Sequence, residues 1–131
     1  MLTAFRFSAA LTLLALLLVF VLSLNVGRAR VRYGVKAPAT DGSPDFARVF
    51  RVQQNTLEQF LFFLPALWLC AAGIGDAWAA LLGLPWLIGR LVYARAYYRD
   101  AAKRGPGFTI TILSNIGLWF GALIGLILSL A

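Results

Sequence analysis

Long apolar runs separated by short polar segments dominate this chain. No charged residue lies between Arg6 and Arg28, between Glu58 and Asp76, or anywhere after Arg104. A helix that crosses a membrane needs about 20 mainly apolar residues. The pattern therefore predicts four spanning helices, at about 5–27, 45–74, 77–103 and 108–130.

Composition supports the same class of protein. The chain has 131 residues, of which 61% are hydrophobic and 13% are charged. A soluble domain of this size could not keep so much apolar surface out of water. We therefore predict an all-α integral membrane protein, a four-helix bundle that forms one domain over residues 1–131. A cleaved signal peptide is the alternative for the first span, but its apolar run is too long and no Ala-x-Ala site follows.

The net charge of +7 is unevenly placed. Eleven of the twelve Lys and Arg residues lie between Arg28 and Arg104, whereas the second connection carries only Asp76. The positive-inside rule then places the basic loops 28–51 and 90–104 in the cytoplasm and both termini on the opposite side. We expect a multi-pass protein of the bacterial inner membrane. Membrane lipids with anionic headgroups explain this charge, so no nucleic-acid partner is predicted.

Local signals refine the helix ends and contacts. Ser43 followed by Pro44 is typical of a helix start, and the Gly-Pro-Gly run at 105–107 is expected to stop the third helix. In the fourth span, glycine recurs every fourth residue from Gly117 to Gly125, which predicts close approach of another helix, within the chain or between subunits. Asn115 beside it is predicted to form a hydrogen bond between helices.

The titratable residues exclude several kinds of site. The chain has one cysteine, Cys70, and no histidine, so a disulfide framework and a Cys/His metal site are both excluded. A thiol buried in hydrocarbon stays protonated and is a poor nucleophile. If the chain is an enzyme, its reactive atom therefore comes from the substrate, and no metal is predicted.

Two rows of polar side chains interrupt the second and third spans. Each row falls within about 60° on an ideal helix, and charges at membrane depth usually have a function because they are costly there. Structural ion pairs with snorkelling arginines are the alternative. The first row is Arg51, Asn55 and Glu58, and the second is Arg90, Tyr93, Tyr97 and Arg104.

Glu58 and Arg90 are predicted to lie at nearly the same depth, about 25 and 21 Å from the outer turn. We hypothesise that they partly neutralise each other, within one subunit or between two. The two rows together offer guanidinium donors for carboxylates, an acceptor for an ammonium, and amide and hydroxyl groups. A small zwitterion with more than one carboxylate fits this set. Glutathione, with two carboxylates, one ammonium, two amides and a thiol, has this chemistry.

At these residues the sequence resembles the MAPEG family, the membrane-associated proteins of eicosanoid and glutathione metabolism. The likeness covers nearly the whole chain. It rests on Arg51-Val-Gln-Gln-Asn55-Thr-Leu-Glu58, on Gly89-Arg90-Leu-Val-Tyr93-Ala-Arg-Ala-Tyr97, and on Arg104 before the last span. The resemblance implies a homotrimer that binds glutathione, its co-substrate, between neighbouring subunits near the cytoplasmic face.

The resemblance also implies a role for each matching residue. Arg104 is expected to be catalytic and to stabilise the glutathione thiolate. Arg30 is a further expected glutathione contact, although Arg28 or Arg32 could equally serve. The remaining expected contacts are Arg51, Asn55 and Glu58 from one subunit and Arg90, Tyr93 and Tyr97 from the next.

One departure from the family pattern concerns the substrate. Members that synthesise eicosanoids have a tyrosine directly after the motif glutamate, and this chain has Gln59. A general glutathione transferase or glutathione-dependent peroxidase is therefore expected, rather than a dedicated leukotriene or prostaglandin synthase. Its second substrate would be a lipophilic electrophile or hydroperoxide from the bilayer. The alternatives are a non-catalytic lipid-binding member and a small multidrug exporter.

Overall fold

The computed structural model describes residues 2–131, which form four long helices. Each helix is long and apolar enough to cross a membrane, which confirms the predicted all-α membrane bundle. A short 3₁₀ turn, Ala101–Arg104, precedes the last helix. The helices are α1 (Arg6–Tyr33), α2 (Pro44–Ile74), α3 (Asp76–Arg99) and α4 (Gly105–Leu130).

The first helix runs past its predicted end near residue 27. It continues to Tyr33 and ends at Gly34, whose φ of 67° lies in the left-handed region that favours glycine. The predicted end was wrong because arginine is a good helix former and suits the negative end of a helix, so the arginine-rich last turn stays helical. The following loop folds back, and its Val35 packs with Phe46 of α2.

The start of α2 agrees with the prediction. Pro44 is the first helical residue, where its missing N–H costs nothing, and the Ser43 Oγ accepts a hydrogen bond from the Phe46 N–H at 3.2 Å. The helix then continues through Pro65 to Ile74.

The junction between α3 and α4 differs from the prediction. We expected α3 to reach residue 103 and to stop at the Gly-Pro-Gly run, but it ends at Arg99. Asp100 has an extended backbone, and its carboxylate accepts the Ala102 N–H at 2.9 Å, which starts the 3₁₀ turn. Pro106 lies in the first turn of α4, a position that proline favours. The Gly-Pro-Gly run thus begins a helix instead of ending one.

Helices α2, α3 and α4 pack closely against one another, and α1 packs along α2 and α3. The buried residues of α1 form a narrow stripe, whereas leucines such as Leu13 and Leu17 are exposed on its other faces. In a membrane these apolar faces contact lipid instead of water, so their exposure carries no unfavourable hydration free energy. The tightest part of the bundle is therefore formed by the last three helices.

The small-residue row of α4 packs against α2 of the same chain. The backbone of Gly125 contacts the backbone of Gly73, and Gly121 faces Cys70 and Ile74. Side chains at these positions would separate the helices, as expected of small residues in membrane bundles. The predicted close approach is confirmed for this pair of helices.

Asp76 links α1 to α3 at the end of the bundle opposite the basic loops. Its two carboxylate oxygens accept the backbone N–H groups of Phe7 and Ser8 at 2.9 and 2.8 Å. The first N–H groups of a helix have no partner within the helix and attract negative charge. Asp76 therefore caps α1 although it belongs to another helix.

Candidate functional site

A cavity of about 700 Å³ lies among α2, α3, the 3₁₀ turn and α4. This volume is within the range of small-molecule pockets, about 300–1,000 Å³. Phe108 supplies part of its apolar wall. Its polar lining consists of Asn55, Glu58, Gln59, Arg90, Tyr93 and Arg104. We call it the polar cavity, and five of the eight residues predicted from the sequence line it.

Arg90 is the most deeply placed charge in the polar cavity. Its side chain is fully buried, and one guanidinium nitrogen, Nη2, donates to the Thr56 Oγ1 at 3.0 Å. The other two nitrogens, Nε and Nη1, have no hydrogen-bond partner among residues 2–131. A buried cation with free donors is costly, and a carboxylate ligand would satisfy both the charge and the donors.

Tyr93 connects the two predicted rows. Asn55 Nδ2 donates to the Tyr93 hydroxyl oxygen at 2.6 Å, so α2 and α3 meet through these side chains within one chain. The Arg90 guanidinium carbon lies 3.9 Å from the centroid of the Tyr93 ring, a cation–π contact that holds it over the ring. Gly107 of α4 lies directly against the Tyr93 backbone, where no side chain would fit. The position of Tyr93 is therefore fixed by both neighbouring helices.

Arg104 reaches the polar cavity by a different route from the one predicted. We placed it on the same helical row as Tyr93 and Tyr97, but α3 ends at Arg99, so that derivation is wrong. The 3₁₀ turn brings Arg104 back over the end of α3, with its guanidinium carbon 6.0 Å from the centroid of the Tyr97 ring. Its Nη1 donates to the Ala101 carbonyl oxygen at 2.8 Å, and the side chain is exposed. Arg104 therefore contributes a solvent-exposed guanidinium to the lining of the polar cavity.

Glu58 lines the polar cavity but forms no ion pair with Arg90. The one ion pair in the part of the chain that the structure describes joins Arg48 to Asp45. The hypothesis that Glu58 and Arg90 neutralise each other within one subunit is therefore wrong, because Arg90 turns towards Thr56 and the Tyr93 ring. The version between two subunits stays a prediction. Both residues line the polar cavity.

Three predicted residues do not line the polar cavity. Arg51 is exposed one turn before Asn55, and Tyr97 is half-buried beside Tyr93, with ring centroids 5.4 Å apart. The Arg30 Nη1 donates to the Ala39 carbonyl oxygen at 2.7 Å, so Arg30 holds the loop between α1 and α2. Their roles with glutathione stay predictions.

Gln59 was not among the predicted site residues, although it lies on the wall of the polar cavity. The Gln59 Oε1 accepts a hydrogen bond from the Asn115 Nδ2 at 2.8 Å, which confirms Asn115 as a link between helices. The signal for Gln59 was its spacing of four residues from Asn55, which places both on one helix face. Thr56, the partner of Arg90, was also missed.

A second, apolar groove of about 900 Å³ lies between α2 and α4. Its wall begins within one turn of Gln59 and Asn115, at Leu61 and Phe62 on α2 and Trp119 on α4, and continues past Leu126. The same two helices therefore carry polar groups near the basic loops and an apolar surface further along.

The fold and the polar cavity define a four-helix integral membrane protein with a cavity lined by charged and polar side chains at one end of its bundle. The model of the MAPEG family matches residues 8–124. The chain belongs to this family, as the resemblance predicted.

Individual relatives agree with this assignment. An uncharacterized protein of Synechocystis sp. is 51% identical over 125 residues, which cover 95% of this chain and 91% of the relative. Human microsomal glutathione S-transferase 2 is 41% identical over 90 residues, covering 69% of this chain and 61% of the human protein. Rat leukotriene C4 synthase is 44% identical over 96 residues, covering 73% and 64% of the two chains. The matched stretch thus spans less than two thirds of the human and rat proteins.

Proposed function

We propose that this protein is a membrane-bound glutathione transferase. It binds glutathione in the polar cavity, activates the thiol as a thiolate and transfers it to lipophilic electrophiles. The observation that carries the proposal is the fully buried Arg90 with two unpartnered nitrogens, in a cavity that also contains Glu58 and Arg104. Family membership and the names of the human and rat relatives support it.

The chemistry of the cavity suits several of the groups of glutathione. Arg90 offers two free donors to a carboxylate, and Glu58 offers an acceptor to the ammonium. The Asn55–Tyr93 pair can bind a peptide amide, since an amide and a hydroxyl each donate and accept. Arg51, Tyr97 and Arg30 would complete the site in a homotrimer with glutathione between neighbouring subunits.

The proposed mechanism is stabilisation of the thiolate by Arg104. A free thiol has a pKa above neutrality, so little of it is ionised at pH 7. A guanidinium nearby favours the charged form, and a change of one unit in the pKa of the thiol corresponds to about 1.4 kcal/mol. Arginine stays protonated and cannot act as the base, so the proton leaves through water. The sulfur then attacks the electrophile, which enters from the bilayer side of the cavity.

Glutathione binding to the detergent-purified protein, measured by calorimetry, is the direct test. Wild-type protein should release heat with glutathione, and Arg90→Met should bind at least about 30-fold more weakly, because loss of one partner of a buried charge pair costs about 2–5 kcal/mol. Arg95→Met is the matched control, since Arg95 is an exposed arginine on the same helix. No heat with wild-type protein would refute the proposal.

A second candidate, a non-catalytic member that binds lipid for a partner enzyme, is favoured by the apolar groove between α2 and α4. Such a protein would bind a lipid but would not conjugate glutathione. Conjugation of a generic aryl halide by the purified protein separates the two candidates.

A further inference from the structure

We propose that Gln59 is a specificity-determining residue that donates a hydrogen bond to an oxygen atom of the electrophile, and that Asn115 is its positioning residue. The electrophiles favoured are those in which this oxygen gains negative charge when sulfur attacks, such as long-chain α,β-unsaturated aldehydes. This inference rests on the proposed function, because the attacking sulfur is that of glutathione.

The first observation is the hydrogen bond between the two carboxamides. A carboxamide has one oxygen acceptor and two N–H donors. The Gln59 oxygen is already engaged by the Asn115 Nδ2 at 2.8 Å. The group that Gln59 offers to the polar cavity is therefore its N–H donor.

The second observation is the burial of Asn115. This side chain is only 4% exposed, and its Oδ1 has no hydrogen-bond partner among residues 2–131. Burial of an amide whose oxygen has no partner costs free energy. This cost offsets most of the stability that Asn115 could contribute by joining two helices. Within the described part of the chain, the one hydrogen bond of the Asn115 side chain fixes the orientation of Gln59.

The third observation is where Gln59 lies. On its cavity side are the charged groups of Glu58 and Arg104, and one turn further along α2 and α4 lie Phe62 and Trp119 of the apolar groove. A lipophilic electrophile with a polar head meets this boundary with its head beside Gln59. Gln59 is a neutral donor, so Arg104 remains the group that stabilises the thiolate. A fixed donor stabilises most strongly an oxygen that gains negative charge in the transition state.

The reaction with an unsaturated aldehyde shows what the donor does. The sulfur electron pair forms a bond to the β-carbon, the double-bond pair moves to join the α-carbon to the carbonyl carbon, and the carbonyl pair moves to oxygen. The resulting enolate oxygen accepts the Gln59 N–H, and the α-carbon then takes a proton from water to give the thioether. With benzyl chloride, in contrast, the carbon–sulfur bond forms as chloride leaves with its electron pair, so no oxygen gains charge.

The experiment compares kcat/KM for trans-2-nonenal and for benzyl chloride, using the full chain with saturating glutathione. Gln59→Met, which removes the donor and keeps the length, should lower the value for the aldehyde about 10- to 100-fold. The value for benzyl chloride should fall less than the value for the aldehyde, so the ratio of the two should fall, because no oxygen of benzyl chloride gains charge when sulfur attacks. Gln59→Glu keeps an oxygen for Asn115 but turns an acceptor towards the cavity, so it should lower aldehyde conjugation at least as far.

The role of Asn115 is tested through Gln59. Asn115→Leu should also lower conjugation of the aldehyde selectively, and the double variant with Gln59→Met should be no slower than Gln59→Met alone, because both changes remove one interaction. Ser114→Ala is the matched control: Ser114 is a buried polar neighbour that donates to the Leu82 carbonyl oxygen at 2.6 Å, outside the polar cavity. It should leave the ratio of the two substrates unchanged.

Equal losses with both substrates, or no loss with either, would overturn this inference. Either result would leave the proposed function intact if wild-type protein still binds glutathione and conjugates benzyl chloride. Failure of wild-type protein to bind glutathione would overturn the proposed function itself, and this inference with it.

Discussion

Asp76 and Arg90 lie on the same helix, 14 residues apart, but their charges have different surroundings. Both oxygens of Asp76 accept backbone N–H groups at the start of α1. Arg90 is fully buried, yet two of its three nitrogens have no partner in residues 2–131. A charge whose hydrogen bonds are satisfied within the fold serves the fold, whereas one left unsatisfied is suited to a ligand. The two residues should therefore respond differently to substitution.

The largest expected effect is that of Arg90→Met on activity. We expect kcat/KM for glutathione conjugation to fall at least about 30-fold, since the ligand carboxylate loses its buried partner. The thermal unfolding midpoint of the protein without glutathione should stay the same or rise, because a buried charge with unsatisfied donors is removed. Scanning calorimetry together with steady-state kinetics checks both. A lower unfolding midpoint with unchanged kinetics would mean that Arg90 stabilises the fold and does not bind the ligand.

Arg104→Ala should have the next largest effect. We expect loss of the ultraviolet absorbance of the bound thiolate and a fall in kcat of about 10- to 100-fold, corresponding to a change of one or two units in the pKa of the glutathione thiol. Lys103→Ala, which changes an exposed neighbouring cation, is the control. An unchanged thiolate signal in Arg104→Ala would remove Arg104 from this role.

Asp76→Ala should affect stability and leave binding intact. Loss of a helix cap costs about 0.5–2 kcal/mol, so the midpoint of thermal unfolding in detergent should fall by several degrees. The Kd for glutathione should not change, because Asp76 lies at the opposite end of the bundle from the polar cavity. Asp41→Ala, in the exposed loop before α2, provides the control for loss of one acid. Weaker glutathione binding by Asp76→Ala would contradict the comparison with Arg90.

Tyr93→Phe should have the smallest effect. It removes the hydroxyl that accepts the Asn55 hydrogen bond but keeps the ring under Arg90. A neutral hydrogen bond contributes about 0.5–1.5 kcal/mol, so glutathione affinity should fall about two- to tenfold. Tyr33→Phe is a suitable control, because Tyr33 lies at the end of α1 and outside the polar cavity. A loss as large as that of Arg90→Met would mean that the hydroxyl itself has a catalytic role.

The fold was largely predictable because its signals are local. Long apolar runs specify the spans, and the Ser43–Pro44 pair specifies the start of α2. Helix ends were missed where two local preferences competed, as in the arginine-rich end of α1 and the Gly-Pro-Gly run before α4. A glycine-rich run can stop one helix or begin the next, and the choice depends on contacts with the neighbouring helix.

The site was predictable wherever its residues share a helix face. Asn55 with Glu58, and Arg90 with Tyr93, follow from helical spacing alone. Whether Arg90 pairs with Glu58 or with Thr56 depends on side-chain orientation across two helices, which spacing does not determine. Arg104 lines the cavity for a reason that helical spacing could not give, because a 3₁₀ turn interrupts its helix. The significance of Gln59 depends on a contact with a residue 56 positions away.

Gly107 contacts the Tyr93 backbone so closely that no larger residue fits at position 107. Any larger residue at position 107 would push α4 away from α3 and displace the ring that supports Arg90. New ligand preferences in this scaffold are therefore expected to arise through substitutions on α2, where side chains border the cavity without joining two backbones. Libraries that vary positions 58 and 59 and leave 107 untouched should yield more folded variants than libraries that vary all three.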